Sequence, residues 1–163
     1  MKDPKSVAES RVALSQLMQP QFANLMGSVH GGWIMKLVDE AGALAAMRHA
    51  QSQVVTVAID QMSFHSAIRI GDLVTLEAEV TYVGNSSIET RVHVVAEDPR
   101  SSERTHTNTA YLVYVALDSS GEPTRVPRLN AETETEQRRM ARGEERQADR
   151  LARMREEAED SIQ

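Results

Sequence analysis

The spacing of hydrophobic and polar positions changes once along the chain, and the change divides it into a helix and a sheet. Over residues 32–50, Ile34, Leu37, Val38, Ala41, Leu44 and Ala45 fall in one arc at helical spacing, which predicts a helix of about five turns facing a core. The opposite arc centres on Asp39, whose neighbours there are Met35, Gly42, Ala43 and Ala46 rather than charged residues. A helix apolar on nearly all sides is covered by other structure. Asp39 is therefore expected on a face of small and apolar groups.

After this helix the period becomes two. Val55, Val57 and Ile59 alternate with Thr56, Ala58 and Asp60, and the apolar set then shifts to Met62 and Phe64, which predicts a strand with a bulge near Gln61. Val74, Leu76, Ala78, Val80 and Tyr82 alternate with Thr75, Glu77, Glu79 and Thr81, as in a strand with one wet face. Gly84-Asn85 makes a turn, and Ile88, Thr90, Val92 and Val94 form the return strand of a hairpin. Tyr111–Leu117 is apolar at almost every position, as a strand covered on both faces would be. With a further strand around Arg11–Met18, the order is strand, loop, central helix and four antiparallel strands, an α+β architecture.

Composition separates a second region. The chain has 163 residues, 18 Lys and Arg against 24 Asp and Glu, a formal net charge of −6 and no cysteine. All six aromatic residues precede Asn130, whereas Glu132–Asp160 lacks proline and is dense in helix formers. Residues 1–130 therefore read as a single domain, and residues 131–163 as a charged helical or disordered tail with little to pack, the alternative being a partner-binding or inter-subunit helix. In the tail Arg138, Arg142, Arg146 and Arg150 recur every fourth residue, and Gly143 weakens its middle by about 1 kcal/mol. The acidic balance argues against a nucleic-acid partner. The start of the sequence shows no signal peptide and no apolar run long enough for a membrane span, so a cytoplasmic protein without a membrane partner is expected. The absence of cysteine excludes a thiol nucleophile and thiolate metal sites, and the five histidines have no metal-ligand spacing, so no metal is expected.

Candidate chemistry gathers between the first strand and the helix. Gly31-Gly32 opens the helix, where the first N–H groups lack internal partners and favour a carbonyl oxygen or an anion; it could equally serve only to pack the helix start against a strand. Asn24 and His30 lie in the preceding loop, and Asn24 could simply be a turn residue. Asp39 is the least ordinary residue, because a buried carboxylate costs several kcal/mol unless it is paired or faces a cavity. A salt bridge to Lys36 or Arg48, or exposure, would also satisfy it. No nucleophile elbow, phosphate loop or dinucleotide fingerprint is present.

These segments together resemble a known family. Asn24-x-x-Gly27-x-x-His30-Gly31-Gly32-Trp33-Ile34-Met35-Lys36, followed by Asp39-Glu40-Ala41, is similar to the signature of the hotdog-fold acyl-CoA thioesterases, specifically the cytosolic long-chain acyl-CoA hydrolase group. The similarity continues through Val54-Val55-Thr56-Val57, Phe64, Ile70-Gly71-Asp72, Val83-Gly84-Asn85-Ser86-Ser87 and Tyr114-Val115-Ala116-Leu117-Asp118, with Gly121 and Val126-Pro127 after it, and spans about residues 12–130. The resemblance implies a sheet curled around one long helix and hydrolysis of fatty acyl-CoA to free acid and CoA. It implies no cofactor, since CoA belongs to the substrate. It also implies homo-oligomers, at least dimers and commonly trimers of dimers, with sites formed across a dimer. By position, Asn24 would hold the thioester carbonyl or the water, and Asp39 of the other subunit would act as general base or nucleophile. The amides near Gly31 and Gly32, beside His30, would bind the carbonyl oxygen, and Gly84, Ser86 and Ser87 would lie near CoA. The same residues also resemble aromatic acyl-CoA thioesterases, and a non-catalytic acyl-CoA sensor on this fold is the reading from a different functional class.

Overall fold

The structure, a computed structural model, describes residues 3–160. The first two residues and the last three, which include the end of the expected tail, lie outside it. In chain order come β1 (Lys5–Ser6), α1 (Val7–Ser10), β2 (Val12–Leu17), a 3-10 turn (Pro20–Phe22), α2 (Gly31–Ala50), β3 (Gln53–Met62), β4 (Leu73–Val83), β5 (Ser87–Asp98), β6 (Glu103–Leu117), β7 (Leu129–Asn130) and α3 (Glu134–Asp160). Five strands form one sheet in the order β2-β4-β5-β6-β3, antiparallel throughout, and β1 and β7 form a small parallel pair.

Helix α2 lies on the inner face of this sheet. Its Ile34, Leu37, Val38, Ala41 and Ala45 are buried in one cluster with Leu76, Val80, Val92, Leu112 and Tyr114. His30 caps its start, and Gln51, in the left-handed conformation at φ 53°, ends it. Leu44, expected in the buried arc, is instead exposed, as are Met35 and Met47. Gly42 is buried because the hydroxyl of Tyr114 comes where a side chain would be: a Cβ there would lie 2.5 Å from it.

Strand β3 has bulges between Thr56 and Ala58 and between Ile59 and Gln61, the second at the expected place. Its facing differs from the sequence pattern. Val54 packs on the core and Thr56 points to α2, while Val55, Val57 and Ile59 are 43%, 53% and 41% exposed. The reason is position: β3 is at the sheet edge, so its apolar side chains have no neighbour on one side.

Helix α3 also differs from a solvated tail. It crosses the outer face of the sheet, where Gly143 approaches Tyr82 and Glu89, and the Arg146 guanidinium lies 3.9 Å from the Tyr111 ring centre. Arg146 pairs with the buried Glu89 at 2.8 Å, Arg139 pairs with Glu79, and Arg150 reaches Asp60 at 3.1 Å. The expected wet face of β4 is consequently covered at Glu79 and Thr81. Gly143, which reads as a weak point in an isolated helix, lets the helix backbone lie close against the sheet: a Cβ would lie 2.6 Å from Tyr82 Cβ.

Candidate active site

Asp39 sits two turns into α2, half-buried, with Thr56 of β3 and Tyr114 of β6 opposite it. The Thr56 hydroxyl donates to Oδ1 at 2.8 Å, and the Tyr114 hydroxyl donates to the same oxygen at 3.1 Å and to the Asp39 backbone carbonyl at 3.0 Å. Thr56 and Tyr114 are paired across β3 and β6, so both reach Asp39 from one rung of the sheet. Burial, and then the Asp39 carboxylate and the hydrogen bond to it, push the Tyr114 phenol above its usual range, which keeps it a proton donor. The salt bridges considered for Asp39 are not formed: Lys36 pairs with Glu40, and Arg48 donates to the Arg11 carbonyl. Among the described residues Oδ2 carries no hydrogen bond.

The loop before α2 folds around Asn24. Its Oδ1 accepts from the Met26 and Ser28 amides at 2.9 and 3.2 Å, and its Nδ2 donates to Ser28 Oγ at 3.1 Å. Asn24, Ser28, Gly31, Ile34, Phe64 and His65 line a cavity of about 310 Å³. Leu25 and Met26 stand fully exposed at the loop tip.

The two helix-start amides prove unequal, which corrects the expectation for Gly32. His30 Nδ1 accepts from the Gly32 N–H at 2.9 Å, so that donor is already used. His30 is thus a helix cap. The Gly31 N–H has no acceptor among the described residues, and Gly31 opens to the cavity with the Phe64 ring 3.5 Å from where a Cβ would lie.

The turn containing Gly84, Ser86 and Ser87 is held by its own backbone. The Gly84 N–H donates to the Ser87 carbonyl at 2.9 Å, and the Ser86 carbonyl accepts from Ala116 N–H at 2.9 Å. Ser87 is paired with Val115, one residue along β6 from Tyr114. The turn is therefore near Asp39, at the opposite end of the sheet from the Asn24 cavity, since Met62 at that end pairs with Ala110. Gly31 and Asp39 are eight residues apart on α2, about 12 Å along its axis. One protomer thus separates Asn24 and Gly31 from Asp39.

Thr56 and Tyr114 are the site residues that pattern reading missed. Thr56 reads as the polar half of a strand alternation and Tyr114 as one apolar residue of a covered strand. Their spacing to Asp39, 17 and 75 residues, carries no local signal.

The apo form of a hexameric acyl-CoA thioesterase superposes on this chain with a TM-score of 0.89 at 37% identity, covering 94% of this chain and 98% of that one. The chain belongs to the thioesterase superfamily. The profile of that superfamily matches residues 26–103, and its hotdog fold is the sheet-around-helix arrangement described above. The superfamily relatives include the rat cytosolic acyl coenzyme A thioester hydrolase, 38% identical over 147 residues that cover 88% of this chain. The chain spans 38% of the length of that relative. The acyl-CoA hydrolase of Staphylococcus aureus, solved with butyryl coenzyme A and coenzyme A, has a TM-score of 0.88 at 34% identity, covering 97% of this chain and 96% of that one. Further structures of the S. aureus enzyme carry alanine in place of an aspartate, a threonine or an asparagine.

Among the described residues, no group of three or more His, Asp or Glu could hold a metal ion, and no helix is long and apolar enough to cross a membrane.

Proposed function

We propose that this chain hydrolyses fatty acyl-CoA to free acid and CoA in sites shared by two protomers. The observation that carries the reading is the Asp39 carboxylate: two hydroxyls hold its Oδ1, and among the described residues it has no cationic partner and its Oδ2 is left without a hydrogen bond. A carboxylate fixed in this way is suited to take a proton from water. The named activities of the S. aureus and rat relatives support the substrate class, and the Asp, Thr and Asn replaced in the S. aureus structures are the residue types of Asp39, Thr56 and Asn24.

In the proposed reaction, Oδ2 of Asp39 accepts a proton as the water oxygen attacks the thioester carbonyl. The Gly31 N–H and the Asn24 amide of the partner subunit hold the developing oxyanion, an effect often worth about 3–4 kcal/mol per donor. Collapse expels the CoA thiolate, which takes up a proton, and leaves the carboxylic acid. Nothing besides water and the thioester is consumed.

The spacing supports a second protomer. Antiparallel pairing of β3 with its symmetry copy would complete the exposed sheet edge and would bring the Asn24 end of one protomer toward the Asp39 end of the other. The hexameric state of the structural relative supports self-association of this kind. The Gly84–Ser87 turn, close to Tyr114, would contact the CoA moiety. The test is release of free thiol from acyl-CoAs of graded chain length. Turnover that Asp39→Ala abolishes while the fold and assembly survive supports the reading, and full activity in Asp39→Ala overturns it.

A further inference from the structure

Helix α3 does not stop where its own sheet stops. Gly143 rests near Tyr82 and Glu89, Arg146 over Tyr111, and Arg150 against Asp60 on β3, the edge strand. Arg150 is the last buried residue of the helix, and all of 151–160 are exposed. Those ten residues project about 15 Å past the edge at the helical rise. Gly143, Gln147 and Arg150 recur at helical spacing on the sheet side, and Met154 is the next position in that series, with Leu151 and Ala158 beside it. An apolar stripe that continues a sheet-facing surface therefore has no sheet beneath it in one protomer.

The edge that α3 crosses constrains what could lie there. Pairing of β3 with its copy has to set residues of the same face opposite each other. Thr56 faces α2, because it reaches Asp39, and Ile59 shares that face through its pairing with Leu112. Val55, paired with Val115, faces the side of α3, as does Asp60. Over residues 55–60, a two-fold between Val57 and Ala58, the midpoint of Gln53–Met62, satisfies both conditions: Thr56 opposes Ile59 of the partner subunit, and Asp60 opposes Val55 of the partner subunit, while the bulges change the facing beyond that stretch. Since α3 crosses β3 at Asp60, the next strand beneath it is the partner's β3 at Val55. Adjacent strands are about 4.8 Å apart, a distance that three to four helical residues cover. Counted from Arg150, that reaches Met154.

We propose that residues 151–160 of α3 form a clasp on the partner subunit, with Met154 and Leu151 packed on the outer face of the partner's sheet at Val55. The clasp rests on the β3 dimer given under Proposed function, and it makes α3 an inter-subunit element as well as a cover for its own sheet.

The chain has no cysteine, so a disulfide reports this contact without background. The full-length Val55→Cys/Met154→Cys protein, oxidised with copper phenanthroline, should run as a covalent dimer on a denaturing gel and return to monomer with dithiothreitol. Each single variant should remain monomeric on that gel. Within a protomer Val55 is five residues from Asp60 along β3, about 16 Å, so an internal disulfide is not expected. Sedimentation of the unoxidised sample separates two failures. A native dimer or larger assembly without a covalent dimer overturns the clasp and leaves the β3 pairing standing, whereas a native monomer overturns both. A second variant, Leu151→Asp/Met154→Asp, should raise the dissociation constant of the assembly at least tenfold, and an unchanged constant overturns the clasp.

Discussion

The hydroxyl of Tyr114 ties the side chain of Asp39 to the helix backbone that carries it, donating to Oδ1 at 3.1 Å and to the Asp39 carbonyl at 3.0 Å. This fork limits rotation of the carboxylate, and Gly42 provides the space the hydroxyl needs. Tyr114→Phe removes the fork and keeps the ring in the core. A hydrogen bond to a charged group is worth about 1.5–3 kcal/mol, so kcat should fall roughly 10- to 100-fold with KM little changed. Thiol-release kinetics on the folded variant provide the check, and an unaltered kcat would remove Tyr114 from the site.

Thr56 holds the same oxygen from the neighbouring strand. Thr56→Ser keeps the hydroxyl and should retain most activity, whereas Thr56→Val, of nearly equal volume, should lose at least tenfold in kcat. Equal activity of the two variants would show that the hydroxyl does not matter.

A shared site predicts complementation. Asn24→Ala and Asp39→Ala proteins, each inactive alone, should recover part of the activity when mixed under conditions of subunit exchange, because some hybrid dimers would contain one intact site. Exchange demonstrated by mass spectrometry with no recovered activity would count against sites built from two protomers.

Stability should depend on pH through His49. It is fully buried, its ring bonds the Pro127 carbonyl at 2.8 Å, and burial lowers its pKa from the ordinary 6.5. The unfolded chain therefore binds this proton at a higher pH than the folded one, so stability is lost as pH falls below about 6.5. Urea midpoints measured from pH 8 down to pH 5 should decline, and His49→Gln, which can still donate to Pro127, should flatten the decline. A slope unchanged in that variant would assign it to other groups.

Local pattern made some elements readable and left others hidden for identifiable reasons. Helix α2 and the β4–β5 hairpin each bury one face against a neighbour, so their periodicity states their form directly. Asp39 stood out because its surroundings on the helix are small and apolar. The facing of β3 did not emerge, since Val55, Val57 and Ile59 read as one core face, whereas the bulges break that alternation, Val55 and Ile59 lie on opposite faces, and all three are exposed on an edge strand. The docking of α3 was hidden for the opposite reason: its partners Glu79, Glu89 and Asp60 are charged residues far away in sequence, and a charge run normally denotes a solvated face. Helix-start glycines suggested two free amides, and only the position of the His30 ring distinguishes Gly32 from Gly31.

The bare edge of β3 also has a consequence for how the protein would fail. A ten-residue edge strand with four exposed β-branched side chains, Val55, Thr56, Val57 and Ile59, is a template for any passing strand, and no proline interrupts it. Dissociation of the assembly would therefore create an aggregation nucleus as well as separate the two halves of a site. If the proposed assembly forms, activity lost on dilution or mild heating would be accompanied by precipitate, and the working lifetime would be set by how slowly the subunits part.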